Sequence, residues 1–93
     1  MSRQVLKTWP EDFHAIRMGQ KRAEVRRCDD RRFRVGDEIV LEEWDPIRGY
    51  PMGGALTIRV THVESMAGPL AIFGLTTDVP MHPLAVLSFE LLP

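Results

Sequence analysis

Three side chains in the stretch Gly19-Gln20-Lys21-Arg22-Ala23-Glu24-Val25-Arg26-Arg27 could do chemistry together: Lys21, Glu24 and Arg26. Cations so placed hold phosphate or carbonyl oxygens. A carboxylate among them can accept hydrogen bonds from the amino group of a base, or act as a general base toward water. Lys7 can join them from an adjoining strand. The same residues could do less: a salt bridge between Glu24 and a neighbouring cation on an exposed strand is worth only about 0–1 kcal/mol.

The elements that must position these groups can be read on either side of them. Gly19 offers the left-handed position that ends a helix. Ala23 and Val25 alternate with Arg22, Glu24 and Arg26 in the period of a strand. A helix therefore stops at Gly19 and a strand runs from Arg22 to Arg27, with Arg22, Glu24 and Arg26 on one side and Lys21 at its mouth. Upstream, Gln4 to Lys7 reads as a first strand and Thr8 as a helix cap. Pro10 suits a first helical turn, and Glu11 and Asp12 complement its positive end, so the helix spans about Pro10 to Met18. Trp9, Phe13 and Ile16 form one apolar stripe. Trp9 is either a core ring packed on the sheet or a stacking ring at the edge of the site.

Downstream, Cys28 to Arg32 is a polar loop, and Gly36-Asp37 marks a tight turn before a strand from Glu38 to Trp44. Asp45 to Gly54 is so rich in Gly and Pro that it is expected to be a mobile hairpin loop. Leu56 to Val63 alternates as a strand with Leu56, Ile58, Val60 and His62 on one face, which makes His62 a hydrogen-bonded core residue. Residues 64 to 83 read as a loop with one short turn of helix. Leu84 to Leu92 is a last strand, apolar on both faces and therefore central or closing. Five short strands and one main helix predict an α+β fold, mainly β, in which a small bent sheet closes into a barrel.

A chain of 93 residues supports one domain, spanning 1–93, with a small core. With 44% hydrophobic and 27% charged residues its composition is that of an ordinary globular protein rather than a disordered one. No apolar run reaches the roughly 18 residues of a membrane span, and Met-Ser-Arg-Gln lacks a signal-peptide core, so the expected location is cytoplasmic, with no membrane partner. The single Cys28 agrees with a reducing compartment. The net charge of −1 hides an asymmetry: residues 17 to 34 carry eight basic and three acidic side chains, whereas residues 35 to 93 carry two basic and eight acidic. A local basic patch on an acidic body attracts polyanions to one place.

Other chemistries find little support. His14, His62, His82 and Cys28 show no zinc spacing, no sequence-local His supports Cys28 as a nucleophile, and the glycines form neither a P-loop nor a dinucleotide fingerprint. No metal and no cofactor are expected.

Gly19-x-Lys21-x-x-Glu24-x-Arg26 resembles the G-x-K-x-x-E-x-R signature of the ASCH domain, a PUA-like β-barrel family associated with RNA. Its surroundings also resemble the small stand-alone ASCH-like proteins, which are defined only as a domain of unknown function. These are Leu6-Lys7-Thr8-Trp9-Pro10, Phe13, Phe33-x-Val35-Gly36-Asp37, Glu43-Trp44-Asp45-Pro46 and Val86-Leu87-Ser88-Phe89-Glu90. The resemblance implies a barrel with a cleft beside the helix, lined by the signature, where RNA or a nucleobase binds. Some relatives cleave RNA, and others hydrolyse the amide of N4-acylated cytidine. Those amidohydrolases carry a Lys at the position of Lys21 but a Thr where this chain has Glu24, a departure that counts against the same reaction here.

The function expected is an RNA- or modified-nucleotide-binding module with a basic cleft. Lys7, Lys21 and Arg26 would hold oxygens, Glu24 would read an amino group, and Trp9, Trp44 and Tyr50 would stack. The alternative is a ribonuclease or nucleoside amidohydrolase with Lys21 as electrostatic stabiliser and Glu24 as base. Neither the RNA recognised nor the oligomeric state can be read from the sequence.

Overall fold

The structure, a computed structural model, describes residues 4–27, 32–65 and 84–93. Cys28, Asp29, Asp30 and Arg31, His82, and the turn of helix expected within residues 64–83 lie outside the described residues. In chain order the elements are β1 (Gln4–Thr8), α1 (Pro10–Arg17), β2 (Ala23–Arg27), β3 (Glu38–Trp44), β4 (Pro51–Ser65) and β5 (Leu84–Leu91). The strands form one mixed sheet in the order β1-β3-β4-β5-β2, bent into a half-barrel. Its β1–β3 pair is parallel and its other pairs are antiparallel. The fold is the small, mainly β, α+β architecture that the sequence predicts.

Alternation along the strands sorts side chains between two faces. The inner face holds the core: Leu6, Ile39, Leu41, Ile58, Val60, Ala85, Leu87 and Phe89, joined by Ile16 from the helix. β4 is long enough to pair with β3 through its first half and with β5 through its second, so Ile58 lies opposite both Ile39 and Leu91. β5, between β4 and β2, is a central strand as its two apolar faces require. The helix closes the inner face with Phe13, fully buried, and Ile16. It ends at Met18, after which Gly19 takes φ 76°. The Gly19 amide donates to the Ile16 carbonyl at 3.0 Å and the Gln20 amide to the Ala15 carbonyl at 2.9 Å, the paired bonds of a Schellman termination.

Four local expectations need correction. Thr8 does not cap the helix: it completes β1, is 2% exposed, and leaves Trp9 at the N-cap with no side-chain hydrogen bond. Trp9 is not a core ring, because it precedes the first turn and stands 49% exposed while Phe13 and Ile16 are buried. The expected loop from Asp45 to Gly54 is shorter, since β4 already begins at Pro51 and a register shift between Glu42 and Trp44 takes up the extra β4 residues. Gly53 within that irregularity has φ 94°, and a Cβ on Gly54 would lie 2.9 Å from the Phe13 ring and 2.6 Å from a Glu43 carboxylate oxygen. Of the glycines that suggested a loop, Gly54 lets the strand pass over the helix and Gly53 supplies the left-handed backbone of the irregularity. The turn itself is tied by Asp45, whose Oδ1 accepts from the amides of Ile47 at 2.8 Å and Arg48 at 3.0 Å.

His62 is the fourth. A bulge between Val60 and His62 inserts Thr61 without a partner on β5, where Val60 faces Phe89 and His62 faces Ser88. One extra residue reverses the alternation, so His62 turns out to solvent and Val63 packs on the core instead.

Candidate functional site

β2 is the strand whose inner face is polar. Glu24 lies opposite Leu87 and Arg26 opposite Ala85, both buried core positions, so the two charged side chains share the face that the other strands give to the core. They are only 13% and 22% exposed, whereas Val25, on the opposite face, is 51% exposed. Burying charge is costly unless it is paired. Both are paired.

Arg26 Nη2 meets Glu24 Oε2 at 2.8 Å, and Arg26 Nε donates to the same oxygen at 2.9 Å. From there the guanidinium reaches across to β1, donating to the Lys7 carbonyl at 2.9 Å and to Thr8 Oγ1 at 3.3 Å. β1 and β2 are the two edges of the half-barrel and share no ladder. The side chain of Arg26 therefore joins the edges where backbone pairing stops. Only a planar, multi-donor cation can serve a carboxylate, a carbonyl and a hydroxyl at once.

On the other side of Glu24, Lys21 Nζ lies 3.7 Å from Glu24 Oε1 and donates to Asp12 Oδ1 at 2.9 Å. The helix termination turns the chain back so that Lys21 returns beside the first helical turn, where Asp12 stands. The four charges form a continuous series, Asp12–Lys21–Glu24–Arg26, with two of each sign. Beside it is a hollow of about 310 Å³ lined by Lys7, Thr8, Trp9, Asp12, Glu24, Val25 and Arg26.

The structure thus brings together Trp9, Glu24 and Arg26 at the cleft and Lys21 behind its carboxylates, and it separates other expected members. The Lys7 ammonium sits over the Trp44 ring, 4.0 Å from its centroid, so Lys7 turns its charge to the outer face and only its backbone oxygen serves Arg26. The register explains this: Lys7 faces Glu42, and the Trp44 indole donates to Glu42 Oε1, all on the outer face. Tyr50 belongs to the β3–β4 turn, where its hydroxyl accepts from Arg48 at 3.0 Å, and neither it nor Trp44 lines the cleft. Arg22 departs from Glu24 and Arg26. It precedes β2, is exposed, and its Nε reaches the Gly19 carbonyl at 3.3 Å. The cleft is charge-balanced rather than basic.

Asp12 and Thr8 are functional candidates that sequence reasoning assigned elsewhere, to the helix dipole and to a cap. The signal available for Asp12 was its place in the first turn of a helix short enough to bring a returning Lys alongside. Thr8 carried no comparable signal. Among the described residues no three His, Cys, Asp or Glu side chains cluster as a metal site.

The model of a family described as a domain of unknown function, DUF3850, matches residues 4–75. The chain belongs to that family. Its DUF3850 fold is also that of solved structures. The hypothetical protein PH0355 matches with a TM-score of 0.66 at 16% identity, over 98% of this chain and 100% of that one. A point mutant of ZmASCH from Zymomonas mobilis matches with a TM-score of 0.59 at 15% identity, over 94% of this chain and 68% of that one. The domain is ASCH-like in fold. No curated protein matches the chain. Among the described residues no helix is long and apolar enough to cross a membrane.

Proposed function

We propose that this domain binds RNA or a modified nucleotide, seating one base in the cleft between α1, β1 and β2. The observation that carries the reading is the charge-balanced series Asp12–Lys21–Glu24–Arg26 beside the half-exposed ring of Trp9. Ligand pockets run from about 300 to 1,000 Å³, so a hollow of about 310 Å³ suits one base with its sugar rather than a folded RNA surface. With each cation held by a carboxylate, the cleft does not favour a phosphate. It offers carboxylate acceptors for exocyclic amino groups and an aromatic face for stacking, the means by which single-stranded bases are read. The ASCH-like fold agrees with this reading.

The test is fluorescence anisotropy of a short labelled single-stranded RNA against wild type, Trp9→Ala and Glu24→Gln. Wild type is expected to saturate, and both variants to lose most of the affinity while keeping their folded spectra. Absence of wild-type binding at protein concentrations near 100 µM, at the weak end of the roughly 1–100 µM of nonspecific binding, would overturn the RNA reading and leave modified nucleosides as ligands.

One observation favours an enzymatic reading: Glu24 lines the cleft with Lys21 Nζ 3.7 Å from its Oε1, a carboxylate placed to act as a base toward water with a cation beside it. Glu24→Gln separates the two readings. It abolishes turnover while sparing affinity if Glu24 is a base, and lowers affinity with no turnover to lose if Glu24 is a reader.

A further inference from the structure

Lys21 does not itself line the cleft; its partners Asp12 and Glu24 do. Lys21 lines a second hollow of about 300 Å³, together with Ile16, Gly19, Arg22, Phe89, Glu90 and Leu91. The ion pairs Asp12–Lys21–Glu24 thus stand between the two hollows, with Asp12 and Glu24 lining one and Lys21 the other. The second hollow has an apolar floor in Ile16 and Phe89, 1% and 5% exposed, and an apolar rim in Leu91.

The charges around it are not equally available. Lys21 is held by two carboxylates, and Glu90 is engaged by Arg59 at 3.1 Å. Among the described residues Arg22 has no carboxylate partner, and the hydrogen bond its side chain makes there runs from Nε to the Gly19 carbonyl, engaging neither terminal nitrogen. The second hollow therefore carries a guanidinium that no carboxylate among the described residues neutralises, beside an apolar floor, where the first carries a neutralised frame beside an aromatic ring.

Building on the proposed base-binding cleft, we infer that the second hollow receives the neighbouring nucleotide of the same strand, with its phosphate on Arg22 and its sugar against Phe89 and Leu91. A guanidinium presenting its terminal nitrogens as a planar fork matches the oxygens of a phosphodiester. Asp12 and Glu24, which would repel that phosphate, line the other hollow. Arg22 lies outside the inner-face frame, so its replacement leaves Glu24 and Arg26 in place.

The experiment measures affinity of a labelled single-stranded RNA hexamer as a function of salt for wild type, Arg22→Gln and, as a comparator on another exposed arginine, Arg34→Gln. It is paired with competition by a mixture of the free nucleosides. Each single-strand phosphate contact contributes about 0.7 to the slope of log affinity against log salt. Arg22→Gln is expected to lower that slope by about 0.7 and the affinity about tenfold, while nucleoside competition stays as in wild type because nucleosides occupy only the first cleft. An Arg22→Gln slope no lower than that of Arg34→Gln, or nucleoside competition weakened along with the RNA, overturns the second subsite while leaving the base cleft standing. A wild type that binds neither hexamer nor nucleosides overturns both.

Discussion

Lys7 and Thr8 are adjacent in sequence and end in different worlds. Thr8 points into the half-barrel, 2% exposed, and meets Arg26; Lys7 points out and covers Trp44. Around them two assemblies use similar residue types on opposite faces of one sheet. The inner one, Trp9 with Asp12, Lys21, Glu24 and Arg26, is concave and bound to both sheet edges. The outer one, Lys7 with Glu42 and Trp44, is a row on the regular part of a strand pair. A cation, a carboxylate and a tryptophan occur in each, so residue type does not distinguish them. What differs is support: the inner set rests on the core and the helix, and its charges hold one another in place. That predicts large effects of substitution on the inner side and small ones on the outer.

The largest effect should come from beneath the inner assembly. Phe13 is fully buried under Gly54 and anchors the helix that carries Trp9 and Asp12. Phe13→Ala is expected to cost about 3–5 kcal/mol in urea unfolding. Gly54→Ala, which forces a methyl against the Phe13 ring and the Glu43 carboxylate, should cost about 1–3 kcal/mol. An unfolding midpoint unchanged by both would mean that the helix does not rest on the sheet in this way.

Next comes the bridge between the edges. Arg26→Ala removes the partner of Glu24 and a donor to the Lys7 carbonyl and to buried Thr8, and should cost about 1–3 kcal/mol with ligand affinity falling as well. Arg26→Lys should recover little of this, since one ammonium cannot replace a planar fork. Full rescue by Lys would show that charge, not geometry, joins the edges.

Trp9→Ala separates binding from stability. The ring is 49% exposed and caps nothing, so the unfolding midpoint should move little, while affinity for single-stranded RNA should fall by about 1–3 kcal/mol if a base stacks there. Equal loss from Trp44→Ala would erase the distinction between the faces.

Much of this architecture is legible in residue order, and the failures share a cause. The helix with its Gly19 stop, the β2 alternation, and the core positions of β3 and β5 all follow from short-range periodicity. The core alternative for Trp9 and the core placement of His62 came from extending that periodicity one step too far, past the start of a helix and past a bulge, neither of which changes residue types. Gly53 and Gly54 look like loop residues because glycine serves loops and strand irregularities equally; only the positive φ at Gly53 and Phe13 beneath Gly54 decide which. In the site, the spacing of Lys21, Glu24 and Arg26 predicted their association, but not that Asp12 and Thr8 would complete it, because those contacts span 9 and 18 residues and depend on closure. The basic cleft dissolved for the same reason: summed charge along a segment says nothing about which carboxylate each cation finds in space.

The smallest predicted effect is the most exacting for the comparison. Lys7→Gln removes the ammonium 4.0 Å above the Trp44 ring but leaves the backbone carbonyl that accepts from Arg26. A cation–π contact at an exposed site is worth about 0.5–1 kcal/mol, so a shift of that size in urea unfolding, accompanied by altered Trp44 fluorescence, is the expected result. RNA affinity and its salt slope should be those of wild type, because the charge removed belongs to the outer face. A drop in affinity as large as that of Trp9→Ala would mean that the lysine swings to the ligand when one is bound. The outer row would then be a reservoir of charge for the cleft, and the two faces would act as one site.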